Sequence, residues 1–143
     1  GYYGEKLVIR CMQHGLNTCW VGGTYKKVKE VIDVGHDEKI VAVIALGYGQ
    51  TMGSIRKSKK PEDVFDGKSS RISRYEDTPE WFKKGVEMAL LAPTAMNRQK
   101  FTFAISGDRV KIKSGFGKFT KLDVGIVKYH FEIGASPKEF VWA

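Results

Sequence analysis

Apolar positions fall first at helical spacing and then in a strand-like run. Between Tyr2 and His14, Gly4, Leu7, Val8, Cys11 and Met12 share one helical face while Glu5, Lys6 and Arg10 lie off it. This pattern predicts an amphipathic helix, with Gly15 at its C-terminal cap. Residues 39–46, Lys-Ile-Val-Ala-Val-Ile-Ala-Leu, are almost continuously apolar and rich in β-branched side chains. Such a run suits a central strand covered on both faces. Gly47, Gly49 and Gly53 then interrupt regular structure, and the polar, basic stretch from Gln50 to Ser73 reads as a long excursion outside the core.

The second half of the chain is more strongly punctuated. Thr78-Pro79-Glu80 combines a hydroxyl N-cap, a proline in the first helical position and an acid in the first turn. Phe82, Val86, Ala89 and Leu90 supply the buried stripe of the helix that follows. Its end is expected near Ala92, because Pro93 disfavours helical geometry in the residue before it. Two alternating segments, Phe101–Ile105 and Arg109–Lys113, flank Ser106-Gly107-Asp108 and predict a hairpin. A last helix is expected from about Leu122 to Ile133, with Leu122, Ile126, Tyr129 and Ile133 on one face. Helices alternate with strands and one hairpin, which makes the expected class an α+β, three-layer domain.

Composition narrows the function. The 143 residues suffice for one core and are short for two. No apolar run approaches the roughly 18 to 20 residues that cross a bilayer. Glu5, Lys6 and Arg10 interrupt any signal-peptide core, so a cytoplasmic location is expected, with no membrane partner. Cys11 and Cys19 are too few for a disulfide framework and have no partner ligands at zinc spacing; both are expected to be small buried side chains in a reducing compartment. His14, His36 and His130 are scattered, with no nucleophile or carboxylate spaced to form a triad, so no catalytic residue and no metal site is assigned.

The formal net charge is +8, and residues 51–74 hold seven basic and three acidic side chains, which is half of that excess. A local block of this kind suits a phosphate monoester, the phosphates of a dinucleotide or a nucleic-acid backbone. It lacks the interleaved aromatic residues of a single-strand stacking surface, which disfavours nucleic acid.

Four stretches together resemble the FMN-dependent nitroreductase family. The run Leu91-Ala92-Pro93-Thr94-Ala95-Met96-Asn97-Arg98-Gln99-Lys100-Phe101 is similar to its A-P-[ST]-A-x-N-x-Q-P-W signature, with Lys100-Phe101 in place of Pro-Trp. The others are residues 15–23, ending Trp20-Val21-Gly22-Gly23, residues 43–48, and the basic turn Arg56-Lys57-Ser58-Lys59-Lys60-Pro61. The order of these stretches resembles a divergent branch in which the signature lies in the C-terminal half, followed by a helix like Leu122–Phe131, where Asp123 and His130 match a D-x-G-x-x-x-x-H pattern. Family members open with an R-[RH]-S-x-R segment that grips the flavin. The present sequence starts at Gly1 without it, so it is expected to be the C-terminal portion of a longer chain, with part of the flavin site supplied from elsewhere.

The resemblance implies a nitroreductase-like fold, a mostly antiparallel sheet wrapped by helices, in an intertwined homodimer. It implies FMN as cofactor, NAD(P)H as electron donor and a small-molecule acceptor such as a nitro compound or quinone. Pro93, Thr94, Ala95 and Asn97 would pack on the flavin ring, and Trp20, Val21, Gly22 and Gly23 would bring the main chain near flavin N5, ahead of a helix beginning near Lys26. Lys57 and Lys59 would hold the phosphate, with Arg56 and Lys60 as register alternatives. Asp123 is read as a helix-start or hydrogen-bonding residue and His130 as structural. The alternative reading is a basic binding module that keeps the fold and has lost flavin catalysis.

Overall fold

The computed structural model describes residues 1–26, 32–51 and 53–143; the helix expected from about Lys26 falls on residues outside this set. The chain divides into two compact units, one of Gly1–Lys6 with Ser54–Ala143 and one of Leu7–Gly53. Its composition of helices and largely antiparallel strands is the α+β class expected.

In the larger unit, helices α2 (Glu80–Leu90) and α3 (Thr120–Ala135) pack together beside the hairpin of β3 (Phe101–Ser106) and β4 (Arg109–Ser114). A short strand β5 (Val141–Trp142) joins β4 in parallel, giving the order β3-β4-β5. The hairpin closes at Gly107, whose φ of +61° belongs to the left-handed region that glycine enters without a Cβ penalty. Phe82, Phe103 and Phe131 bring α2, β3 and α3 to one point, and all three are fully buried. The Phe103 and Phe131 ring centroids are 4.9 Å apart, and those of Phe82 and Phe131 are 5.6 Å apart. Burying each such ring contributes roughly 1.5 to 3 kcal/mol.

The stripe Phe82, Val86, Ala89 and Leu90 of α2 is buried as its periodicity predicts. The helix start differs from expectation. Thr78 does not cap it: its hydroxyl donates to the Tyr75 carbonyl at 2.7 Å, and the Pro79 carbonyl receives the first helical N–H groups, from Phe82 and Lys83. The face of α3 is also rotated from the one predicted. Asp123, Ile126, Val127, His130, Phe131 and Ala135 are buried, whereas Leu122 and Tyr129 are half-buried and Ile133 is exposed. Two polar residues, Asp123 and His130, lie on the buried side beside Ile126, Val127, Phe131 and Ala135.

Helix α1 (Tyr2–Gln13) forms where predicted and is followed by Gly15 in a left-handed conformation. Its apolar stripe is buried only in part, at Val8. Glu5 is 1 % exposed and meets His130 Nε2 at 2.8 Å, while Leu7 and Met12 are exposed. Tyr2 donates its hydroxyl to Glu132, which with burial pushes the phenol up to about 12. Trp142 Nε1 donates to the other oxygen of Glu132 at 2.7 Å.

The excursion at residues 50–73 is not wholly outside the core. Val64 is fully buried and Phe65 bridges to Phe103. Asp66 accepts hydrogen bonds from Lys113 Nζ and the Ser69 N–H, contacts that hold its carboxyl down at about 2.

In the smaller unit, β1 (Asn17–Val21) pairs antiparallel with β2 (Val43–Gly47), Trp20 opposite Ile44. The predicted central strand is therefore one arm of a two-stranded ribbon. With one partner strand among the described residues, β2 leaves Leu46 61 % exposed. Cys11 is half-buried, but Cys19 is exposed on β1, contrary to the expectation that both would be buried.

The packing of α2 on α3 depends on glycine at their closest approach. A Cβ at Gly134 would lie 2.4 Å from the Lys84 carbonyl oxygen, and one at Gly85 would lie 2.7 Å from the Phe131 ring. Gly134→Ala therefore lowers stability in urea titration, because overpacking of about 1 to 3 kcal/mol outweighs the gain of about 1 kcal/mol in helix propensity. Gly107→Ala, with open space around it, loses only the backbone term of about 1 kcal/mol. A Gly134→Ala variant more stable than the parent would refute the close helix contact.

Candidate functional site

After α2 the chain turns sharply through residues 91–99. Met96, Asn97 and Gln99 adopt φ of 54°, 52° and 46°, and none is glycine. Placing an L-residue there costs about 1 to 2 kcal/mol each, somewhat less for Asn, so bonds from elsewhere must hold this loop.

Those bonds come from three directions. From α3, Asp123 Oδ1 accepts the Ala95 N–H at 3.0 Å. Within the loop, Thr94 Oγ1 accepts the Gln99 N–H at 3.1 Å. From the basic turn, the Lys57 carbonyl accepts Asn97 Nδ2 at 2.7 Å, and the Lys59 N–H donates to Gln99 Oε1 at 2.8 Å. Gln99 Nε2 donates to the Leu90 carbonyl at 2.8 Å and to Ser58 Oγ at 3.0 Å, and Lys59 Nζ donates to the Gln99 carbonyl at 2.8 Å. Two sequence-predicted segments some forty residues apart are thus joined directly.

The predicted residues take distinct places in this arrangement. Pro93 and Ala95 are half-buried in the loop. Thr94 is 9 % exposed and its hydroxyl oxygen points inward to Gln99. Asn97 reaches across to Lys57 and does not simply bond its own backbone as an isolated turn would. Arg56, Lys57, Lys59 and Lys60 are all exposed, with the Lys59 ammonium additionally anchored to Gln99. Trp20 and Val21 belong to β1, and Gly22 and Gly23 form the bend after it; a Cβ at Gly23 would meet nothing within 4 Å. That stretch lies in the smaller unit.

Sequence reasoning missed the residue that joins the two segments. Gln99 is 2 % exposed and closes the A-P-T-A-x-N-x-Q run, and a carboxamide two residues before an apolar strand is the available signal. It also missed Glu5, the partner of His130; the Nδ1 of His130 has no hydrogen-bond partner among the described residues. Among the described residues no group of His, Cys, Asp and Glu is placed to hold a metal ion, and no helix is long and apolar enough to cross a membrane.

Comparison with known proteins gives the family and the fold. Residues 1–135 match the family model described as "Putative TM nitroreductase", and the chain belongs to that nitroreductase family. The fold is similar to a crystal structure from Thermotoga maritima described as a "putative nitroreductase", with a TM-score of 0.66 and 26% sequence identity. The match covers 91% of this chain and 50% of that one, so the present chain spans about half the length of the structure it resembles. A search of curated proteins finds no match.

Asp123 gives the site a pH signature. Burial raises its carboxyl above the ordinary value near 3.8, opposed by the Ala95 N–H. In the window from that value up to the raised one, the folded chain keeps a proton that the unfolded chain has lost. The contribution of Asp123 to stability therefore falls as pH rises through the window and stays reduced above it. Asp123→Asn retains an oxygen for Ala95 and carries no charge. Its melting temperature relative to the parent should climb as pH is raised from about 4; an offset independent of pH would show that the carboxyl is not desolvated.

Proposed function

We infer that the protein is an FMN-dependent NAD(P)H oxidoreductase. The observation that carries this reading is the joining of the loop at residues 93–99 to the basic turn at residues 56–60, in a chain of the nitroreductase family. A ring-binding loop and a phosphate-binding turn must keep a fixed separation to accept one mononucleotide, and hydrogen bonds between them supply it.

The residues suit such a ligand. Exposed cations at Arg56, Lys57 and Lys60 stand on a turn whose backbone is tied down, as a phosphate monoester requires. Pro93, Ala95 and Asn97 would form the ring contact, with Thr94 stabilising the loop from within. Gly22 and Gly23, in the smaller unit, would leave their own main chain open to a ligand with no side chain intervening. Bound FMN supplies two-electron transfer from NAD(P)H to a nitro compound, quinone or similar acceptor. Chemistry of this kind needs no dedicated acid or base from the protein. We place the protein in the cytoplasm and expect it to act as a homodimer.

The test is reconstitution of the purified protein with FMN. Flavin absorption should appear on the protein and bleach when NAD(P)H is added anaerobically. A colourless preparation retained on a nucleic-acid column at low salt and released at high salt would overturn the assignment in favour of a binding module.

A further inference from the structure

We propose that Gln99 is a positioning residue for the cofactor phosphate: its side chain sets the basic turn at residues 57–60 in register with the ring loop. This rests on the flavin reading above.

The argument begins with burial. A carboxamide that is 2 % exposed must satisfy its donors and its acceptor inside the protein. Gln99 does so by looking two ways. One Nε2 hydrogen goes to the Leu90 carbonyl, a fixed point in the last turn of α2, and the other goes to Ser58 Oγ on the basic turn. The oxygen accepts the Lys59 N–H, again from the turn. The side chain is therefore a strut between the end of a packed helix and a segment whose side chains, from residue 53 through residue 60, are exposed to solvent.

The two halves of the strut are chemically separable. Contacts that shape the ring loop itself, from the Gln99 N–H to Thr94 and from the Ala95 N–H to Asp123, use the main chain of the loop. Contacts from the Gln99 side chain go to the turn and to Leu90. Removing the carboxamide thus leaves the loop's own hydrogen bonds in place and takes away the two side-chain bonds to Ser58 and the Lys59 N–H, so the turn stays attached through Asn97 to the Lys57 carbonyl and through Lys59 Nζ to the Gln99 carbonyl. A turn loosened in this way keeps its charge but holds it less closely at one distance from the ring. The loss should fall on recognition of the phosphate and not on recognition of the ring.

FMN and riboflavin, which share a ring and differ in the phosphate, separate the two effects. Each is titrated into the full chain, with flavin fluorescence as readout and circular dichroism as a check on folding. The parent should prefer FMN. Gln99→Leu should reduce that preference about tenfold, the size of one displaced charged contact, with riboflavin affinity little changed. Gln99→Glu, which keeps an oxygen for the Lys59 N–H but sets a carboxylate against the Leu90 carbonyl and beside the phosphate turn, should not recover it. If Gln99→Leu fails to fold, Ser58→Ala on the exposed turn decides the matter, with a smaller fall in the same ratio.

Equal weakening of both flavins, or an unchanged ratio, would overturn the proposal and reduce Gln99 to a packing residue while leaving the flavin reading intact. A parent chain that binds the two flavins equally would also overturn it, since the turn would then hold no phosphate. A parent that binds neither would instead sink the flavin assignment itself.

Discussion

The distance between α2 and α3 governs the position of the candidate ring loop. The loop leaves the C-terminal end of α2 at Leu91, and its Ala95 N–H is held by Asp123 in the first turn of α3. Both anchors move if the helices separate. Gly85 and Gly134 let one helix reach the ring of Phe131 and the other reach the backbone at Lys84, and no larger side chain fits at either point. The aromatic contact among Phe82, Phe103 and Phe131 then locks α2, α3 and the hairpin together. Close packing of this kind is insensitive to pH and salt, which suits a frame on which polar groups must be placed to within a few tenths of an ångström.

Onto that frame the chain adds a few buried polar joints. Glu5 with His130 fixes the first turn of α1 to α3, Asp123 fixes the loop, and Gln99 fixes the basic turn. Each joint fastens a segment with little apolar surface of its own to a helix that has much. Glu132 performs a similar task nearer the surface, accepting from Tyr2 and Trp142 on its two oxygens. Joints of this type are selective because leaving one partner buried alone costs more than the bond itself contributes.

These joints also explain which parts of the fold were legible from sequence. The stripe of α2 and the hairpin around Gly107 follow from local period and turn chemistry, and both form as read. The faces of α1 and α3 follow only in part: Val8 and Ile126 are buried as their periodicity predicts, but Glu5, Asp123 and His130 point inward beside them and lie off the hydrophobic stripe. The apolar run at residues 39–46 departs for the opposite reason: its composition fits a covered strand, but among the described residues β2 pairs with β1 alone and part of it is exposed. Of the candidate site, motif resemblance located the loop and the turn. It could not reveal that Gln99 and Asn97 join them, since hydrogen bonds across forty residues leave no periodic trace.

The backbone of the loop has a further consequence. Met96, Asn97 and Gln99 all lie in the left-handed region, and Met and Gln visit it rarely in a free chain. The shape of this segment is therefore a property of the assembled unit, imposed by Asp123, Lys57, Ser58, Lys59 and Leu90 and absent from an excised peptide of the same sequence. Any recognition that depends on the shape disappears as soon as those anchors loosen, while both helices are still intact. The shape of the loop is thus a local reading of the integrity of the tertiary structure around it.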